Sequence, residues 1–292
     1  MKLSIVIITF NEEANIARTL KSVIPLVANG NGELIVVDSG STDRTREIAR
    51  EFDAKVYVEE WKGFAAQKNS GIQKASGEWI LSLDADEEVS AELTENVIAI
   101  LNLRPPEDWC LTGHNSSLPA RRESWNSLSP TGYYIPRRNF FLGRWIRHGG
   151  FYPDRKLRLF QRVAGHFEER VVHETVKVNG ATGNLTGYLI HHAYPSLSGY
   201  IEHMNRYSSL GAELAVEKGQ TSRSILAFLW NVAVRPRLTF FYNYVLRLGF
   251  LDGHEGMLLH LYHAEYVSWK YAKAWEASRS TFTTETRRHG EE

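Results

Sequence analysis

The sequence predicts an α/β fold, a mostly parallel sheet covered by helices and continued by a helical extension at the C-terminal end. Three observations predict it. Over residues 1–104, short β-rich runs alternate with segments of helical periodicity. The first of them, "LSIVIITF", is continuously apolar, as a strand buried on both faces of a parallel sheet is. Each of the principal strands ends in a polar cluster, where open α/β sheets place their ligands.

Taken in order, "LSIVIITF" (3–10) reads as the first strand, and residues 12–24 carry Ile16, Leu20 and Val23 on one helical stripe. "ELIVVD" (33–38) is the second strand; "STDRTREIAREF" then offers capping residues ahead of Ile48 and Phe52. "AKVYV" is a third strand, residues 64–75 a short helix and "EWILSLD" a fourth strand, and Leu93, Val97, Ile100 and Leu101 mark another helix. Beyond Arg104-Pro105-Pro106 the period is lost, and residues 105–150 are rich in Pro, Gly, Trp, Tyr and Arg. Strand-like pieces return in "RKLRLF", "RVVHETVKV" and "NLTGYLIHH". After Pro195 the chain turns helical and aromatic, and it closes on a polar tail, residues 279–292, expected to be disordered.

Composition narrows the class. The 292 residues carry 34 basic and 34 acidic side chains, so no bulk field draws nucleic acid and an anionic ligand needs a local site. The single cysteine, Cys110, excludes an internal disulfide and suits a reducing compartment. The first apolar run is too short for a secretory signal and is followed by Asn11, Glu12 and Glu13, which makes it a strand of a cytoplasmic protein. No stretch reaches the roughly 18 apolar residues of a membrane span. Residues 225–267 come nearest, but Arg235, Arg237, Arg247, Asp252 and Glu255 interrupt them; such a segment lies on a bilayer rather than crossing it.

The strand ends read Thr9-Phe10-Asn11-Glu12, Asp38-Ser39-Gly40-Ser41 and Asp84-Ala85-Asp86. Asp84 and Asp86, two apart where a strand leaves its sheet, suit a hard cation such as Mg²⁺ or Mn²⁺ whose shell is completed by phosphate oxygens. The ion and its diphosphate would then cancel the repulsion within "DADEE". The plain alternative is a solvated turn with Glu87 and Glu88 opening a helix. Asp38 can accept from the N3–H of uracil beside small residues that admit a nucleotide. A capping turn made by Ser41, Thr42 or Asp43 would leave Asp38 without an assignment. Lys68, in "GFAAQKNSG", can meet a diphosphate or a ribose, or lie on the surface.

"SIVIITFNEEANIARTLKSV", "IVVDSGSTDRT", "GFAAQKNSGI" and "GEWILSLDADEEVS" resemble the nucleotide-sugar-binding half of the family-two inverting glycosyltransferases, which have a Rossmann-like GT-A fold. "FYPDRKLRLFQR", "VVHETV", "LIHHAYPSLSGYIEHMNRYSSLGAELA" and "LRLGFLDGHEG" resemble the subgroup containing bacterial lipopolysaccharide inner-core β-1,4-glucosyltransferases. The resemblance divides the chain into a nucleotide-sugar half (1–104), an acceptor and catalytic half (105–195) and a helical aromatic extension (196–278). It implies that Thr9, Asn11 and Glu12 meet base and ribose, Asp38 uracil and Lys68 the phosphates, with Ser39 and Ala85 on the same rim. Asp84 would serve the ribose or the metal's water shell, and Asp86 the metal directly, with His191 as a further ligand.

Inverting transfer needs a carboxylate to take the acceptor's proton. Glu174 is the candidate, where related enzymes carry an acidic pair and this chain has His173-Glu174; Asp154 is the rival, and Glu168 and Glu169 are weaker ones. Arg155 and Arg158 can meet donor phosphates or pair with Asp154 or Glu168. Arginines 121, 122, 137, 138, 144 and 147, among Trp125, Tyr133, Tyr134 and Trp145, suit a phosphorylated sugar or lipid head group, or form a solvated loop. Residues 221–275 are either an interfacial element or helices packing on the catalytic domain or a second subunit.

The expected function is metal-dependent transfer of a hexose, glucose from UDP-glucose, to a lipopolysaccharide core or related glycolipid at the cytoplasmic face of the inner membrane. Transfer of another UDP-sugar in polysaccharide or glycoprotein assembly is an alternative. So is a nucleotidyltransferase, although "TFNEEANIA" lacks the glycine-rich loop that chemistry needs. A non-catalytic nucleotide- or carbohydrate-binding scaffold is the third.

Overall fold

The computed structural model describes residues 1–103, 130–168 and 175–288. The chain forms two compact units, Met1–Arg138 with Pro153–His192, and Asn139–Tyr152 with Ala193–Glu292.

The first unit begins with β1 (Leu3–Thr9), α1 (Ile16–Val27), β2 (Gly32–Asp38), α2 (Thr45–Glu51) and β3 (Lys55–Val58). It continues with α3 (Phe64–Lys74), β4 (Trp79–Asp84), β5 (Glu87–Val89) and α4 (Ala91–Leu101). All of β1 is buried, and α1 covers it with Ile16, Leu20 and Val23, none of which keeps exposed surface. α3 crosses so close to β1 that a Cβ on Gly71 would stand 2.4 Å from Val6 Cγ1, so this position has no room for a side chain. Ser90 caps α4 by accepting the Leu93 amide.

β6 (Gly132–Phe141), β8 (Asp154–Gln161), β11 (Thr182–Asn184) and β12 (Leu189–Tyr194) complete the sheet, whose order is β3-β2-β1-β4-β8-β6-β12-β5 with β11 on β6. β3, β2, β1 and β4 are parallel; β8 turns antiparallel on β4 and β6 antiparallel on β8. β9 (Gly165–Glu168) and β10 (Thr175–Val178) form a separate hairpin-like pair. Two features concern the site, the first counting against the plain alternative of a solvated turn and helix start and the second dividing one expected strand. Glu87 and Glu88 form a strand paired with β12 instead of starting a helix. "NLTGYLIHH" divides into β11 and β12 around Gly187, whose missing Cβ would fall 2.3 Å from the Leu93 backbone.

In the second unit β7 (Arg144–Trp145) pairs with Phe140 and Phe141 at the end of β6, so residues 139–152 pack with the helices, not with the half to which sequence assigned them. α5 (Leu197–Glu217) and α8 (Gly253–Arg288) are the long helices. Phe141, Ile146, Tyr200, Met204 and Leu259 form one core, and Ala212, Ala215 and Ala274 a second contact. Between the long helices, α6 (Ile225–Leu229), a π turn (Trp230–Val234), α7 (Arg235–Phe240) and a second π turn (Phe241–Leu246) run on without a break. His260 is buried with its ring against Gly149 and Gly249, where a Cβ would come within 2.0 and 2.3 Å of it. α8 continues through Arg288, into the segment expected to be disordered, because extending an established helix costs little per residue.

Candidate active site

β1, β2 and β4 end side by side, Thr9 in register with Asp38 and Ile8 with Asp84. The loops after β1 and β2 are laced together. Asn11, at φ +53°, donates its amide to Ser41 Oγ (2.8 Å) and accepts the Thr42 amide on Oδ1 (2.8 Å). The Glu12 amide reaches Thr45 Oγ1 (2.8 Å). Asp38 is wholly enclosed: Oδ1 accepts the amides of Gly40 (3.0 Å) and Ser41 (2.9 Å), and Oδ2 accepts the Ser41 hydroxyl. This carboxylate therefore builds the turn that the sequence reading had assigned to its neighbours. Thr9 Oγ1 and Ser39 Oγ, at adjacent strand ends, and both amide atoms of Gln67 are buried without a hydrogen-bond partner among the described residues. Each such atom costs about 1–3 kcal/mol, and a ligand supplying the missing bonds would recover it.

The acidic run is compensated residue by residue. Lys68 Nζ lies 2.8 Å from Asp84 Oδ1, and Arg158 Nη2 2.6 Å from Asp84 Oδ2. Arg158 also donates to Glu87 Oε1 (2.8 Å), which faces Arg137 Nη1 at 3.2 Å. Glu88 Oε1 takes Arg18 Nε (2.7 Å) and His192 Nε2 (2.5 Å). Asp86 Oδ2 faces His191 Nε2 at 3.3 Å. Thr19 Oγ1 holds the Ala85 carbonyl at 2.6 Å, fixing the turn between the two aspartates.

Burial alone would raise the Asp84 carboxyl, but the Arg158 and Lys68 charges outweigh it and hold the group well below the usual carboxylate range. Asp86 shows the same opposition, burial raising it and His191 bringing it down. Glu12 moves the other way: burial raises it, Asn15 partly offsets that, and the charges of Asp86, Asp43 and Asp84 add to the rise. The β1 loop and the acidic turn thus share one field.

The sequence reading cancelled the cluster with an ion and a diphosphate. Here the chain's own cations compensate Asp84, Glu87 and Glu88. Asp86 is different: it faces an imidazole, and among the described residues no lysine or arginine forms an ion pair with it. Lys68, expected at a phosphate, has no exposed surface and lies beneath the Phe167 ring, 5.2 Å from its centroid. Arg158 is likewise buried. Among the described residues no group of three His, Cys, Asp or Glu side chains is arranged to hold a metal by itself. Asp86 with His191 could hold a hard divalent ion if ligand oxygens completed its shell.

Asp154 is engaged by the Arg137 fork, Nε at 2.9 Å and Nη2 at 2.7 Å, and by Lys156 at 3.2 Å. Glu168 pairs with Lys177 (3.3 Å), and Arg155 donates to Asn184 Oδ1 (2.7 Å). Glu174 and Glu169, like Arg121, Arg122 and Trp125, lie outside the described residues. Sequence reasoning missed Gln67; it placed Arg137 in an acceptor-binding patch, whereas the guanidinium pairs with Glu87 and Asp154, and it gave Glu87 no role of its own within the acidic cluster. Glu87 is buried because β5 alternates faces, the first and third residues of Glu87-Glu88-Val89 pointing inward, and two glutamates in a row carry no sequence signal of that alternation.

Comparison with known proteins identifies the family and the fold. Residues 4–164 match the family model for glycosyl transferase family 2. The lipopolysaccharide core biosynthesis glycosyltransferase LpsC of Rhizobium meliloti is 28% identical over 260 residues, covering 87% of this chain and 82% of its own. An uncharacterized glycosyltransferase of Rickettsia prowazekii is 28% identical over 258 residues, 88% of this chain and 81% of its own. Among solved structures, the mannosyltransferase PcManGT of Pyrobaculum calidifontis, in complex with GDP-Man and Mn²⁺, superposes with a TM-score of 0.51 at 15% identity, covering 94% of this chain and 86% of that one, which establishes the shared fold.

Proposed function

This chain belongs to glycosyl transferase family 2, and from that premise we propose that it is an inverting glycosyltransferase that moves glucose from UDP-glucose to a lipopolysaccharide core or related glycolipid at the cytoplasmic face of the inner membrane. The observation that carries the reading is the Asp86–His191 pair beside an already compensated Asp84: Asp84 closes the parallel strand β4, Asp86 follows it, and β12, antiparallel to β5, brings His191 against Asp86. A divalent cation, Mg²⁺ or Mn²⁺, held by Asp86, His191 and the donor's diphosphate would stabilise the charge that gathers on the departing group.

The chain's residues do the rest. Lys68 and Arg158 hold Asp84 in one orientation at the rim, where its carboxylate can meet the ribose. Asp38 fixes the loop 39–42, against which uracil packs, and Thr9 and Ser39 offer it their unpaired hydroxyls. Glu174 takes the proton of the acceptor hydroxyl; with Asp154 engaged by Arg137 and Lys156, it is the better base of the two candidates. The acceptor oxygen forms its bond to the anomeric carbon from the face opposite the nucleotide while the carbon–oxygen bond to the diphosphate breaks, and UDP leaves. The similarity to LpsC supports the lipopolysaccharide acceptor.

Incubating the protein with UDP-glucose, UDP-galactose, UDP-N-acetylglucosamine or GDP-mannose, Mn²⁺ and truncated lipopolysaccharides tests this. The expected result is a β-linked glucosylated product from UDP-glucose, lost in Asp86→Ala. Transfer from GDP-mannose alone would overturn the uracil assignment, and transfer from UDP-glucose to a soluble glycan only would overturn the acceptor.

A further inference from the structure

Residues 225–246 form an unbroken helical segment with two different sides. One side packs within its own unit: Phe228 lies 5.1 Å from Trp275, Ser268 Oγ donates to the Val232 carbonyl (2.8 Å), and Arg235 Nη1 donates to the Tyr271 hydroxyl (2.6 Å). The other side is apolar and open. Ile225, Leu229, Val234, Leu238, Phe241 and Val245 are all exposed, at spacings of three to five. The five-residue step, from Leu229 to Val234, coincides with the first π turn, whose wider winding keeps the stripe on one face. Leu226 and Leu246 widen the stripe, 77% and 61% exposed. A contiguous apolar face of this kind on a globular protein marks an interaction surface.

Charge selects the partner. From Lys218 to Leu251 the sequence has five cations (Lys218, Arg223, Arg235, Arg237 and Arg247) and no carboxylate, in a chain whose total charge is zero. The first acid beyond it, Asp252, is buried and held by His148 Nδ1 (2.9 Å). Pairing this face with itself across a two-fold axis would set arginines against arginines without a counter-charge. An anionic bilayer surface accepts both features, the apolar stripe at the acyl boundary and the cations among the head groups. Trp230 and Tyr242, both half exposed, carry the amphipathic rings that settle at that depth.

We propose that residues 225–246 form a bilayer-docking face selective for anionic lipid. This rests on the surface alone and holds whichever sugar is transferred, so it is measured without donor or acceptor. Flotation with vesicles of phosphatidylcholine alone, or mixed with phosphatidylglycerol, reads it. Wild type should float with the mixed vesicles, less as salt is raised, and Arg237→Gln should reduce that preference. The triple variant Leu226→Glu/Leu238→Glu/Leu246→Glu, at exposed positions, should lose about tenfold or more in vesicle affinity with an unchanged thermal transition. Equal flotation of wild type and triple variant, or no flotation of wild type, overturns the proposal. Equal binding to neutral vesicles overturns the anionic selectivity. A wild-type dimer that the triple variant converts to monomer assigns the face to a second copy instead.

Discussion

Lys68 is fully enclosed, and its Nζ stands 2.8 Å from Asp84 Oδ1 at the edge of the acidic turn. Lys68→Met removes one of two cations from that carboxylate and leaves Arg158 to serve both Asp84 and Glu87. Breaking a buried pair costs about 3–5 kcal/mol; with Asp84 partly exposed and Arg158 retained, about 2 kcal/mol is expected. Urea denaturation of variant and wild type checks this, and an unchanged midpoint would remove the structural role given to Lys68.

Asp86→Ala should do the reverse, leaving stability near wild type and reducing kcat by about 100- to 1000-fold, the cost of losing a transition-state charge stabiliser. Steady-state kinetics beside a thermal melt separate the two effects. His191→Ala should follow in the same direction with a smaller loss. If Asp86→Ala turned over normally, the rim would not be where the diphosphate leaves.

Glu33 supplies an acid-side test distant from the acidic turn. Burial raises its carboxyl, but Lys55 (2.7 Å), the Ser76 amide (2.7 Å) and the Ser4 and Ser76 hydroxyls outweigh that and bring it to about 2, from 4.5. Its folded-state value is depressed, so its contribution is complete above pH 4.5 and fades as pH falls toward about 2. Denaturation of wild type and Glu33→Gln across that window should show their stability difference shrinking as acid is added. A difference independent of pH would be contrary evidence.

His260 acts in a higher window. Burial and the neighbouring His263 lower its imidazole from 6.5 to about 4, against a smaller opposing pull from Asp252. Both ring nitrogens lack hydrogen-bond partners among the described residues, and the ring packs near Phe151 and Tyr244. As pH falls from 6.5 to about 4, the unfolded chain takes a proton the folded one refuses, so stability falls. His260→Phe should flatten that part of the profile, measured by guanidinium denaturation at pH 7, 6, 5 and 4.5.

The strand–helix alternation of the first hundred residues was legible because each element announces itself within a few residues: β1 is apolar throughout, and α1 repeats Ile16, Leu20 and Val23. The polar strand ends were legible for the same reason. The cations compensating the acidic turn were not. Arg158 reaches Asp84 across 74 residues and Arg137 reaches Glu87 across 50, and no local periodicity encodes a pairing set by sheet order. The turn made by Asp38 was missed because a carboxylate at a strand end reads equally as a ligand contact or as an acceptor for the next amides.

Arg137 and Asp154 are cross-strand partners in β6 and β8, and they stand where the chain leaves the first unit, after Arg138, and where it returns, at Pro153. One guanidinium fork therefore fastens the neck of the excursion 139–152. Inside that excursion Phe141 and Ile146 belong to the core of the second unit and Gly149 lies against His260, while the clasp keeps β8, which carries both Asp154 and Arg158, aligned on β6. A change of packing around residues 139–152 is thus kept by that clasp from retuning the charges at the sheet's rim.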